Sequence, residues 1–198
     1  MNITYIKNES LNSYKGIAFD GTNFYASTNF FIYKLDKNMH ILSKTQTFRE
    51  YNQLCFDNID NCFYAISDSS PHKIFKLDYE LNEVDFILLQ NYVRSICFCE
   101  NKIFYATADS IFLINKHSDT VLVKKFNTKM PISIFFTQNN FSVCSLLHNQ
   151  YLLEIFDKNG MLKLKLQIPK SYTPTQILSE NQVLISKSGI YSYLLYDF

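Results

Sequence analysis

The chain reads as an all-β, five-bladed β-propeller with four-stranded blades. Two observations carry that reading. A unit recurs five times, opening at Ile17-Ala18-Phe19-Asp20, Leu54-Cys55-Phe56-Asp57, Ile96-Cys97-Phe98-Cys99, Ile134-Phe135-Phe136-Thr137 and Ile177-Leu178-Ser179-Glu180. The first residues of these stretches lie 37, 42, 38 and 43 apart. A period of about 40 built from short β segments is the mark of a propeller or an array. The second observation is a spare strand, Ile3-Thr4-Tyr5-Ile6, ahead of the first unit, where the last unit is one strand short.

Each unit supplies four segments. After the opening one comes a polar turn, such as Asp20-Gly21-Thr22-Asn23 or Asp57-Asn58-Ile59-Asp60-Asn61, whose Asn, Asp and Gly suit tight hairpins. The second segment is Phe24-Tyr25-Ala26-Ser27, echoed by Phe63-Tyr64-Ala65-Ile66-Ser67 and Phe104-Tyr105-Ala106-Thr107. The third is Ile32-Tyr33-Lys34-Leu35-Asp36, matched by Ile74-Phe75-Lys76-Leu77-Asp78 and more weakly by Leu153-Glu154-Ile155-Phe156-Asp157. Its closing Asp starts another turn. The fourth is outer-strand material, as in Leu162-Lys163-Leu164-Lys165-Leu166, where leucines are expected inward and lysines outward. Lysine on such a strand discourages edge-to-edge aggregation. Alternation of period two dominates throughout, and no helical stripe of useful length appears.

The fifth unit ends at Phe198, directly after its third segment. Ile6 lies 11 residues before Ile17, as Val123 does before Ile134 and Leu166 before Ile177. The first strand therefore occupies the place of a fourth strand and is expected to complete the last blade. Closure of that kind protects edges that an open sheet would expose. One domain over 1–198 follows.

The run Gly16-Ile17-Ala18-Phe19-Asp20-Gly21-Thr22-Asn23-Phe24-Tyr25-Ala26-Ser27, followed by Ile32-Tyr33-Lys34-Leu35-Asp36, resembles the repeat of NHL-type and related bacterial β-propellers. The resemblance is loose and covers nearly the whole chain. With no Trp, the Trp-Asp signature of WD repeats is absent, and no Gly-Gly pair supports a kelch repeat. The resemblance implies a ring and leaves activity open, because such rings host many functions.

Composition narrows the function classes. Hydrophobic residues make up 47% and charged residues 19% of 198, the balance of a folded protein. A formal charge of +1 gives no field for nucleic acid or an anionic membrane. No apolar run approaches a bilayer span, and the start shows no basic stretch leading into a long apolar one. Five scattered cysteines, Cys55, Cys62, Cys97, Cys99 and Cys144, suit reduced buried thiols, so a cytoplasmic location is expected. Cys97 and Cys99 could ligate metal, but nothing nearby completes a site, and neither metal nor cofactor is expected.

No nucleophile elbow, phosphate loop or dinucleotide fingerprint occurs. Asp20, Asp57 and Glu180 sit where turn geometry favours acidic residues, and Asp36, Asp78, Asp157 and Asp197 do likewise. His72 and His148 fall between second and third strands, on the face where propellers commonly bind partners. Tyr14, Tyr51, Tyr92 and Tyr172, with Arg94, precede the first strands, so ring closure would gather them round one channel mouth. Tyr and Arg are enriched at binding hot spots. The expected function is thus a non-enzymatic, monomeric module that binds a protein, peptide or glycan through Tyr14, Tyr51, Tyr92, Arg94, Tyr172, His72 and His148. The alternative is a small hydrolase or lyase on the same face.

Overall fold

A computed structural model describes residues 2–6, 14–114, 119–127, 129–168, 172–179, 182–187 and 190–197. In the strands at the two chain ends it is the backbone that is described, with Pro174 and Ile177 also placed by their side chains. The strands are β1 (Asn2–Ile6), β2 (Gly16–Phe19), β3 (Phe24–Ser27), β4 (Phe31–Leu35), β5 (Ile41–Gln46), β6 (Gln53–Asp57), β7 (Cys62–Ile66), β8 (Lys73–Leu77), β9 (Glu83–Leu88) and β10 (Ser95–Cys99). They continue as β11 (Lys102–Ala106), β12 (Ser110–Ile114), β13 (Thr120–Lys125), β14 (Met130–Phe136), β15 (Asn140–Leu147), β16 (Gln150–Asp157), β17 (Leu162–Ile168), β18 (Tyr172–Ser179), β19 (Gln182–Lys187) and β20 (Ile190–Asp197).

The arrangement is a β-propeller of four-stranded antiparallel blades. Four blades are runs of consecutive strands: β2–β5, β6–β9, β10–β13 and β14–β17. A further sheet is composite, in the order β1-β20-β19-β18, with Ile3 opposite Tyr196 and Ile6 opposite Tyr193. The innermost strands touch in succession, β2 to β6, β6 to β10, β10 to β14 and β14 to β18, and β18 returns to β2.

Hydrophobic burial sits between blades. Tyr25 and Ile32 of the first blade pack on Leu54, Phe63, Phe75 and Leu77 of the second. Tyr64, Ile66 and Ile74 of the second meet Ile96, Ile103 and Tyr105 of the third. Ala106, Ile111 and Phe126 meet Ile134, Phe141, Val143 and Phe156 of the fourth. Cys144, Leu153 and Ile168 pack on Ile177 of β18. The third junction holds a run of stacked rings, with Phe104 and Phe136 centroids 3.8 Å apart and Phe141 and Phe156 4.9 Å apart. The high aromatic content is explained by these wedge-shaped junctions, which large flat side chains fill well.

The innermost strands pose a hydrogen-bonding problem. Each pairs along one edge only, leaving N–H groups that must find partners when buried. The residue just before each repeat's first aliphatic supplies them. Gln53 Oε1 accepts from the Ile96 N–H at 2.8 Å, Ser95 Oγ from the Ile134 N–H at 3.1 Å, and Ser133 Oγ from the Ile177 N–H at 2.8 Å. Gly16 takes this position in the first blade because the neighbouring backbone is too close for a side chain: a Cβ there would lie 2.5 Å from Gln53 Cα.

Turns between third and fourth strands share one geometry. Asp36, Asp78 and Asp157 each accept backbone N–H groups two to four residues on, at 2.7–2.9 Å. The residue three after the Asp is left-handed in each: Met39 (φ 66°), Leu81 (φ 71°) and Gly160 (φ 80°). Met39 and Leu81 are buried despite that strained backbone, so their apolar contacts offset it.

The outer strands correct one expectation. Leu162 and Leu164 of β17 are exposed alongside Lys163 and Lys165. β5, β9 and β13 are open in the same way. Alternation there does not divide core from solvent, because a fourth strand lies at the rim, where both faces are open.

Candidate functional site

In an antiparallel four-stranded blade, the turn between second and third strands and the connection to the next blade lie at one end. This connection face carries residues 67–72 and 89–94 of the second blade, and its counterparts elsewhere. It is the face on which the sequence gathers its tyrosines, and the structure separates them by depth.

Tyr14 and Tyr51 are core residues, only 4% and 2% exposed. Both lie three residues before the repeat's first aliphatic, Ile17 or Leu54, and Tyr51 sits in the junction of the first and second blades. Tyr14 packs with Ile17, Ala26, Leu35 and Met39. Tyr51 lies edge-on to Phe75 with centroids 5.9 Å apart, and its hydroxyl donates to Glu83 Oε2 at 3.0 Å. Neither offers a ring to a ligand, which corrects their placement at a channel mouth. In the third repeat Val93 fills that buried slot. Tyr92 is one position further out and is 42% exposed. Tyr172 is the first residue of β18, not part of a loop, and its side chain lies outside the described residues.

Three of the expected residues do converge. Tyr92 and His72 stand edge to face with centroids 6.5 Å apart. The Arg94 guanidinium lies 5.5 Å from the Tyr92 ring centroid. The Tyr92 hydroxyl donates to Asp68 Oδ1 at 3.2 Å. Partial burial, followed by the nearby Asp68 carboxylate, pushes the Tyr92 phenol above its ordinary range. The backbone beneath is pinned: the N–H groups of Leu89, Val93 and Arg94 donate to His72, Pro71 and Ala106 carbonyls, each at 2.8 Å. His148 is exposed on the same face but belongs to the fourth blade, in a two-residue turn with φ 46° beside Asn149 at 61°. Two successive left-handed residues make this a tight hairpin of the kind that favours Asn.

The two arginines differ. Arg49 is engaged: its Nε and Nη2 donate to the two Glu83 carboxylate oxygens at 2.9 and 3.2 Å, and its guanidinium lies 4.2 Å from the Phe75 centroid. Among the described residues, no carboxylate lies within ion-pair reach of Arg94.

Several polar clusters escaped sequence reading. Lys129 holds the buried Glu154 carboxylate through both oxygens at 2.6 and 2.7 Å. Lys129 and Arg49 occupy the same repeat position, five before Ile134 and Leu54, which is the one signal that could have paired them. On the opposite face, Asp20 accepts from the Thr22 and Asn23 N–H groups and from the Tyr25 and Tyr79 hydroxyls. Burial alone would raise the Asp20 carboxyl; these donors outweigh it and hold the pKa below the ordinary value. Asp57, at the same repeat position, accepts from Ile59 and Asp60 N–H groups, which is turn chemistry.

Of the five free thiols, Cys62, Cys97 and Cys144 are buried. Cys97 Sγ accepts from the Phe136 N–H at 3.3 Å, linking third and fourth blades. Burial pushes the Cys97 thiol up to about 12 and raises Cys144 also. Among the described residues, no group of three or more His, Cys, Asp or Glu side chains could hold a metal ion. No helix among them is long and apolar enough to cross a membrane.

No protein-family model matches the sequence, and no curated protein matches it. Solved structures do. The chain is similar to a structure titled Kuenenia stuttgartiensis hydrazine synthase, at 10% identity and a TM-score of 0.57, over 95% of this chain and 66% of that one. It is also similar to Myxococcus xanthus glutaminyl cyclase, at 8% identity and a TM-score of 0.69, over 98% of this chain and 93% of that one. At such identities the likeness is one of architecture, and it shows a β-propeller fold.

Proposed function

We propose that this propeller is a non-enzymatic binding module whose connection face takes a protein, peptide or glycan. The observation that carries this reading is the Tyr92–His72–Arg94 cluster. It joins an exposed aromatic ring to a guanidinium that has no ion-pair partner among the described residues, on a backbone held by strand ends. Loops fixed on a rigid sheet are where binding residues concentrate. Five free thiols support a reducing, cytoplasmic setting, and the repeat pattern supports kinship with NHL-type propellers.

Replacing Tyr92 and Arg94 together with Ala tests the reading. Both are exposed, so melting should stay within a degree or two of the parent, as surface changes usually do. Affinity for a ligand found by peptide and glycan arrays should fall by about thirtyfold, the effect of losing ~2 kcal/mol. Unchanged binding by a folded double variant would place the site elsewhere.

A second reading, a small enzyme on the same face, draws on the likeness to a glutaminyl cyclase. Turnover of a peptide with N-terminal glutamine by purified protein would favour it.

A further inference from the structure

The connection face carries a second exposed aromatic group, in the first blade. Phe48 is 90% exposed and Phe30 51% exposed. They belong to adjacent segments, because the Thr47 N–H donates to the Phe30 carbonyl at 2.9 Å. Hydrogen bonds run from there to the turn that carries part of the Tyr92 cluster. Thr47 Oγ1 donates to the Arg49 carbonyl at 2.7 Å, and Arg49 Nη1 donates to Ser70 Oγ at 3.4 Å. Ser70 belongs to the same turn as Asp68 and His72, which meet Tyr92. Phe48, in the connection from the first blade to the second, and Arg94, in the connection from the second to the third, therefore flank the second blade on this face, and the surface between them forms a strip. The strip is firm because the Arg49–Glu83 pair and the strand-end hydrogen bonds hold its middle.

The two ends differ in chemistry. At one end, aromatic surface is left in water with nothing covering it, which is unfavourable for an isolated chain. At the other, the Arg94 guanidinium has an aromatic neighbour and, among the described residues, no carboxylate within ion-pair reach. A fork of donors of this kind matches a carboxylate in two-point contact. We propose that the strip binds an extended peptide segment bearing an acidic side chain at Arg94 and an apolar one at Phe48 and Phe30. This rests on the reading of the connection face as a binding surface and adds the ligand class. Charge complementarity selects the peptide: a neutral glycan leaves Arg94 without an anion, and a membrane would call for more positive charge than +1 supplies.

The test uses arrays of short synthetic peptides varied in Asp/Glu and Phe/Leu content, followed by titration with Arg94→Gln, Phe48→Ser and Asp68→Asn variants. Peptides with both residue types should bind. Arg94→Gln and Phe48→Ser should each weaken binding about tenfold or more with melting unchanged. Arg94→Gln should also flatten the salt dependence. Asp68→Asn should tighten binding, because it removes a negative charge beside the Tyr92 ring that neighbours Arg94. Three results would overturn the inference: binding of neutral peptides, glycans or anionic vesicles only; acidic peptides indifferent to all three variants; or no peptide bound. If a neutral ligand binds and Tyr92→Ala weakens it, the face remains the binding surface and only the ligand class falls. If no variant on the face alters binding, both readings fall together.

Discussion

Ser95 Oγ accepts a hydrogen bond from the backbone N–H of Ile134, one blade further round the ring, at 3.1 Å. Ser133 does the same for Ile177, and Gln53 for Ile96. These bonds tie successive innermost strands together where no ladder joins them. They place a side-chain acceptor on the N–H that would otherwise be a buried donor without a partner. The cohesion of the ring thus has a polar component along its inner wall, in addition to the apolar junctions.

Ser95→Ala and Ser133→Ala should each destabilise the fold by about 1–3 kcal/mol, the cost of leaving a buried N–H unsatisfied. Urea unfolding measures this. Ser95→Thr, which keeps the hydroxyl, should recover part of the loss. Parent-like stability of both Ala variants would mean that the N–H groups find other partners.

Gly16 and Gly21 should respond differently to substitution. A Cβ at Gly16 would meet Gln53 Cα at 2.5 Å and the Asn52 carbonyl at 3.0 Å, so backbone must move. Gly16→Ala should cost about 1–3 kcal/mol through overpacking. Gly21 faces open space but has φ +97°. There Gly21→Asn should cost less than Gly21→Val, since Asn tolerates left-handed backbone and a β-branched residue does not. Equal melting losses for Asn and Val at position 21 would contradict the backbone explanation.

Asp20 should make stability depend on acid. Its folded pKa lies below the ordinary 3.8 because four donors outweigh burial. The unfolded state therefore takes up the proton first as pH falls. The contribution of Asp20 is fully present above the unfolded value and is lost as pH drops through the folded one. Asp20→Asn should cost about 1 kcal/mol at neutral pH. The gap between parent and variant should narrow in the window below the ordinary carboxylate value of 3.8 as pH falls. A gap constant across that window would show that the carboxylate charge plays no part.

The repeat, the strands and the turn chemistry were readable from local sequence. Period-two alternation and Asx turns depend on near neighbours, and Asp36, Asp78 and Asp157 behave as their spacing implies. Residue depth was not readable that way. Tyr51 and Tyr92 both precede a first strand, yet one residue of register sends Tyr51 into a junction and leaves Tyr92 in water. The outer leucines show the same limit: alternation reports a two-faced strand, but whether either face is covered depends on the strand's distance from the axis. The bonds from Gln53, Ser95 and Ser133 cross from blade to blade, between residues about forty positions apart, and the Tyr92–His72–Arg94 cluster joins two segments of the chain. The amino-acid order by itself determined which residues make strands and turns, because those choices are local in energy. Only the closing of blades against one another decided which tyrosines are core, which polar groups bond round the ring, and that Arg49 is held by Glu83. Those outcomes depend on what lies opposite.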